Sequence, residues 1–233
     1  MIMGMNQPYF MPYIGFWQLV NAVDVFVIGD DYHYINRGWV NRNRILQEGQ
    51  TKYFNIEVDH ASQNKQINEL LLSDVFDPEK KLSQLRTLYH SAPYFQQGYE
   101  LMRKIFACDE RNLAYFLEHS MQCVCDYLGI QTKFLRSSGI PHNAEYKKEY
   151  RIFEQCKYIG ADVYINAIGG QKFYFYEQFH DQGIQLGFIK TGDIQYMQFG
   201  SEFVPNLSII DVIMFNSKEE MQQLLQNYSI LWE

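Results

Sequence analysis

The 233-residue chain lacks the spacings that usually betray a metal or disulfide framework. Its four cysteines, Cys108, Cys123, Cys125 and Cys156, show no CxxC pattern, and Cys123 and Cys125 would point about 200° apart on a helix. They read as structural thiols, small buried hydrophobes rather than reactive groups. The six histidines, His33, His60, His90, His119, His142 and His180, form no HxH, HxxH or HExxH, so no zinc site is expected. Also missing are the GxSxG nucleophile elbow, the GxxxxGK phosphate loop and the GxGxxG dinucleotide turn. No segment approaches the roughly 18 consecutive apolar residues of a membrane span, and the opening residues show no basic stretch followed by an apolar one. A cytoplasmic location follows as the expectation. Positive charge is in deficit too, with 20 Lys and Arg against 27 Asp and Glu and a net charge of -7. Duplex affinity rests on basic side chains neutralising phosphates, so nucleic acid is not the expected partner.

What the chain has in surplus is aromatic side chains: 18 Tyr, 17 Phe and 3 Trp, or 16%. Hydrophobic residues make up 47% and charged ones 20%, which excludes a disordered chain. At roughly 100 to 200 residues per domain, the length fits a single domain over 1–233.

Periodicity supplies the element order. Met1 to Met5 reads as a strand ended by Gln7-Pro8, because a residue preceding proline is driven to extended geometry. Phe16, Leu19, Val20 and Val23 mark one face of a helix, and the nearly continuous apolar run from Asp24 to Gly29 suits a strand covered on both faces. Residues 30–50 have no sustained period and read as a loop or ragged hairpin, with a further strand from Tyr53 to Val58. A helical insertion occupies about 78–128, its clearest stripe being Leu113, Phe116, Leu117, Met121, Val124 and Leu128 before Gly129. Strand 132–135, helix 149–159 and strand 162–168 repeat the alternation. Helix 173–180, strand 184–189 and a small C-terminal helical lobe over about 205–233 complete it. The implied fold is α/β, a Rossmann-like, mainly parallel sheet with helices on both faces and ligands bound outside the carboxyl ends of the strands.

Candidate site residues crowd into the first 44 positions. Gln7, Pro12 and Gly15 lie where the first strand hands over to the first helix, and amides at such a turn suit an anion. Asp30 and Asp31 end the second strand, where a carboxylate can act as general base, take a sugar hydroxyl or hold Mg²⁺. Tyr34, Arg37, Trp39, Asn41, Arg42, Asn43 and Arg44 follow within eleven residues. Guanidinium forks bind phosphate, amides read hydroxyls and aromatic faces stack on rings. Asp30, Asp31 and Arg44 are the catalytic candidates; Gln7, Pro12, Gly15, Tyr34, Trp39, Asn41 and Arg42 are the substrate-binding ones. The arginines could equally pair with Asp30 and Asp31 as a salt-bridged loop. Lys147, Lys148, Glu149 and Arg151 read as the solvated first turn of a helix, and Ser208 with Asp211 as a helix cap.

These segments together resemble the WbqC-like protein family, whose approximate pattern is Q-P-x-Y-L-P-W-x-G-Y-F, then A-D-x-F-V-x-x-D, then a Trp shortly before N-R-N-x-I. Gln7 to Trp17, the strand closing on Asp30-Asp31 and Asn41 to Arg44 carry the likeness, and it continues through Gly160 to Tyr164 and Leu207 to Val212. Departures are Phe10-Met11 for Tyr-Leu, Tyr13 for Trp, Phe16-Trp17 for Tyr-Phe and Ile165-Asn166-Ala167 where the family commonly has Leu-Ser-Gly. The resemblance implies an enzyme associated with bacterial surface-polysaccharide and O-antigen biosynthesis, and adds Asp211 to the pocket. The expected substrate is a phosphorylated polar molecule such as a nucleotide-linked sugar, the expected chemistry transfer of an acyl or aminoacyl group, and Mg²⁺ or a nucleotide the candidate cofactors. A non-catalytic glycan- or nucleotide-binding module is the rival. The strand, Gln-Pro-aromatic and helix-start Gly also resemble the opening of ATP-dependent nucleotidyltransferases and ligases, although Tyr13 and Phe16 stand where those enzymes place histidines.

Overall fold

A computed structural model describes residues 1–200 and 202–233. Six strands form one sheet in the order β5-β2-β1-β6-β7-β8, from β1 (Ile2–Asn6), β2 (Val25–Ile28), β5 (Lys133–Arg136), β6 (Val163–Ala167), β7 (Gln185–Thr191) and β8 (Tyr228–Leu231). All neighbours are parallel except β7 and β8. From β1 the chain moves outward through β2 to β5, then returns to the opposite side of β1 for β6 and β7. The reversal creates a switch point between β1 and β6, and at such a point the loops diverge to leave a crevice beyond the carboxyl ends.

Strand periodicity explains the two-layer burial. Phe26 and Ile28 enter one apolar cluster while Val27, between them, enters the other with Met3 and Met5. The larger cluster lies under α1 (Ile14–Asn21), α2 (Pro78–Tyr89), α3 (Phe95–Phe106), α4 (Leu113–Leu128), α7 (Ile209–Phe215) and α8 (Lys218–Gln226). The smaller one lies under α5 (Lys148–Ile159) and α6 (Tyr176–His180). Gly4 keeps β1 close to α1 and the turn after it, since a Cβ there would stand 3.4 Å from Leu19 Cδ1 and 3.1 Å from Val23 Cγ1.

The insertion around 78–128 is three helices with local stop and start signals. Asp77 caps α2 with Pro78 behind it, Asn112 accepts from the amides of Ala114 and Tyr115, and Gly129 ends α4 at φ 73°. No helix among the described residues is long and apolar enough to cross a membrane.

Two expectations change. The strand placed at 53–58 is β4 (Gln50–Asn55), and it pairs with β3 (Arg42–Gln47) in a separate antiparallel hairpin. The C-terminal segment also returns to the sheet, because Tyr228–Leu231 pairs antiparallel with β7 and Trp232 covers Gly187. Four residues give too few alternations for a strand to stand out from the preceding helix.

Phe26 is fully buried, edge-on to Phe16 at 5.5 Å and to Phe134 at 6.0 Å. Phe26→Ala is expected to lower unfolding free energy by about 3–5 kcal/mol, measured as a lower urea midpoint with an unchanged slope.

Candidate functional site

The segment leaving β1 is buried although it has no regular structure. Phe10 and Met11 are at most 1% exposed, and Met11 takes a left-handed φ of 46°. Its backbone finds partners on three other elements. Phe10 donates its amide to the Val40 carbonyl at 3.0 Å, the Met11 carbonyl accepts from Ser208 Oγ at 2.7 Å, and the Pro12 carbonyl accepts from Trp17 Nε1 and the Ile209 amide at 3.0 Å each. The β3–β4 hairpin and the start of α7 are therefore fixed beside the switch point. Ser208 caps α7 as expected, and its amide donates to the Arg44 carbonyl at 2.7 Å.

Gly15 opens α1 beneath Tyr13. A methyl group on Gly15 would overlap the Tyr13 ring and the Thr191 hydroxyl. Burial raises the pKa of Tyr13, and the Thr191 contact partly opposes it; burial also raises that of Tyr9, its neighbour. Gln7 donates from Nε2 to the His33 carbonyl at 2.9 Å, while its Oε1 is buried without a protein partner.

The hairpin separates residues that are adjacent in sequence. Asn43 and Ile45 face inward, whereas Arg42 and Arg44 lie on the other face with Tyr53, the register partner of Arg44. The Arg42 guanidinium sits 4.1 Å over the Tyr53 ring and donates to the carbonyls of Gly38 and Arg37. Arg44 lies 5.8 Å from the Trp39 ring and donates to the Asn206 carbonyl at 3.0 Å, leaving Nε buried and unpartnered. Tyr34 is 5% exposed and donates to Asn41 Oδ1 at 2.8 Å, and Asn41 donates to the Ile56 carbonyl at 2.9 Å. The accessible rings are Trp39 and Tyr53, 40% and 52% exposed. Sequence reasoning missed Tyr53, whose place is set by its pairing across the hairpin.

The two strand-end carboxylates differ sharply. Asp30 is fully buried; Oδ1 accepts from the Ser138 amide at 3.0 Å, and Oδ2 from the Ser138 hydroxyl and Asn68. In this geometry it ties the loop after β5 to the end of β2. Asp31 pairs through Oδ2 with Arg151 of α5, while its Oδ1 has no protein partner. Arg151, expected as part of a solvated turn, is instead held in the interior: it lies 4.4 Å over the Tyr32 ring and donates to Ser137 Oγ at 3.0 Å. Ser137 also receives bonds from Asn143 and Gln155. Among the described residues, seven buried side-chain polar atoms lack a partner, and five belong to Gln7, Asp31, Arg44, Arg151 and Gln155. A stranded buried group costs about 1–3 kcal/mol, so each of these atoms is a candidate for a further partner.

Asp211 occupies the first turn of α7 with no exposure, accepting from Tyr89 at 2.8 Å, Tyr196 at 2.7 Å and Gln198 at 3.4 Å. Through Tyr196 and Gln198 it fastens the stretch 192–200, and Asn206, before α7, gives its carbonyl to Arg44. No group of three or more His, Cys, Asp or Glu among the described residues is placed to hold a metal ion. Burial pushes the Cys125 and Cys156 thiols up to about 12, out of the reactive range. Five open cavities have volumes of about 300–610 Å³, two of them at the amino ends of the strands near Asp162 and Thr132.

The class of protein is thus a Rossmann-ordered α/β protein with a polar, partly unsatisfied edge at its topological switch point. The sequence pattern of the WbqC-like protein family matches residues 7–223, and the chain belongs to that family. It is also similar to the uncharacterized protein Rv1507c of Mycobacterium tuberculosis, 26% identical over 223 residues that cover 94% of this chain and 95% of the relative.

Burial raises the pKa of the Asp211 carboxyl, and the bonds from Tyr196, Tyr89 and Gln198 pull it back only in part. A carboxyl raised on folding contributes stability that is full below its unfolded pKa, about 3.9, and is lost as pH rises through the folded value. The wild type should gain stability relative to Asp211→Asn as pH falls toward 4, read from paired urea midpoints. Asp211→Ala should lose about 1–3 kcal/mol for each tyrosine hydroxyl it strands.

Proposed function

We propose that this chain is an enzyme of bacterial surface-polysaccharide biosynthesis of the O-antigen type, acting on a nucleotide-linked sugar or a similar phosphorylated polar substrate by transferring an acyl or aminoacyl group. The observation that carries this reading is the gathering of unpartnered donors and acceptors at the carboxyl edge. Arg44 is the guanidinium best suited to phosphate, because Arg42 is already engaged by two carbonyls and the Tyr53 face. Trp39 beside it offers a ring for stacking, and Gln7 an amide oxygen for a hydroxyl. In the transfer, an acceptor hydroxyl or amine forms the bond to the acyl carbon, releases its proton and displaces the leaving group. Of the four oxygens of Asp30 and Asp31, Asp31 Oδ1 is the one without a donor against it, and it is the candidate to receive that proton.

The full engagement of Asp30 favours a second reading, a non-catalytic module that binds the same ligand. Turnover separates the two, since a module binds an acyl donor or nucleotide sugar without consuming it.

UDP-glucose is expected to raise the melting temperature of the wild-type chain, by the equivalent of about 2.7 kcal/mol at one hundred times its Kd. Arg44→Ala is expected to abolish that shift. A shift from ATP alone would favour the nucleotidyltransferase-like alternative, and an unchanged shift in Arg44→Ala would place the ligand elsewhere.

A further inference from the structure

We propose that Asp31 and Arg151 form a hydroxyl-reading subsite at the ends of β2 and β5, an inference that rests on the nucleotide-linked reading above. The pair touches at one point, Arg151 Nη2 against Asp31 Oδ2, where a guanidinium and a carboxylate could have closed a two-pronged fork. The single contact leaves Asp31 Oδ1 and Arg151 Nε without protein partners. Both side chains are nearly excluded from solvent, at 8% and 11% exposure. A half-satisfied buried ion pair is a poor stabilising device, because neither desolvation cost is fully offset.

The chemistry of the two free atoms selects the ligand group. Oδ1 needs a donor and Nε–H needs an acceptor. A hydroxyl carries both a donor and an acceptor. An ammonium would satisfy Asp31 but face the guanidinium, and a carboxylate or phosphate would satisfy Arg151 but face Asp31. Neighbouring groups hold the pair rather than compete for it. Tyr32 lies under the guanidinium, and Ser137 accepts from Nη2 while bonded in turn to Asn143 and Gln155. Gln7 bonds the carbonyl of His33, two residues beyond Asp31, so the subsite adjoins the turn at the switch point. In a nucleotide-linked sugar the hydroxyl comes from the ribose or from the sugar.

Isothermal titration of the wild type, Asp31→Asn and Arg151→Met with UDP-glucose, UDP and 2′-deoxy-UDP distinguishes these sources. Each variant is expected to bind UDP-glucose at least tenfold more weakly than the wild type. A sugar hydroxyl predicts that UDP binds all three proteins alike. A ribose 2′-hydroxyl predicts that UDP weakens with the variants and that 2′-deoxy-UDP is weak for the wild type. If a single variant fails to fold, the double variant Asp31→Leu with Arg151→Met, which removes both charges together, carries the same comparison. UDP-glucose affinities within twofold of wild type in the variants would overturn the subsite alone. Failure of all three probes to bind the wild type would overturn the proposed function and the subsite together.

Discussion

A buried turn must find partners for its own backbone, and the segment after β1 is such a turn. Unpaired peptide groups in the interior cost too much to persist, so residues 8–13 can be buried only if other elements come to them. Val40 of the hairpin approach, Ser208 and Ile209 of α7 and the indole of Trp17 supply those partners. The same bonds carry Arg44, Trp39 and Asn206 to the edge of the sheet. Satisfying one irregular stretch of chain therefore assembles most of the candidate site.

The second constraint is how the molecule disposes of buried carboxylates. Asp30 and Asp211 are both fully buried and both surrounded by donors, and each joins distant segments: β2 to the loop after β5, and α7 to the stretch holding Tyr196 and Gln198. Asp31, next in sequence to Asp30, is left with an oxygen to spare. Neighbours in the chain thus separate into a structural joint and a carboxylate with one unpartnered oxygen, according to where the adjacent elements place their N–H and O–H groups.

Much of the scaffold was legible from residue order. The apolar run at Val25 to Ile28, the stripe from Leu113 to Leu128 and the stops at Gly129 and Gly160 each follow local rules, and the elements lie where those rules put them. The family pattern likewise pointed to the turn and hairpin now found together. What residue order could not express is pairing across space. Tyr34 and Asn41 look like ligand groups in sequence, yet they bond each other inside the fold. Tyr53 looks like an ordinary strand residue until register sets it opposite Arg44. Arg151 lies 120 residues from Asp31, and only the adjacency of β2 and β5, with α5 behind them, makes them a pair.

The proposed site puts ligand at the carboxyl edge beside the switch point. Amide hydrogen exchange with and without UDP-glucose tests that directly. Added protection is predicted in residues 7–13, 28–32 and 204–210, where the turn, the end of β2 and the Arg44 partner lie. Protection confined to the amino ends of the strands, around residues 131–133 and 183–186, would contradict the account.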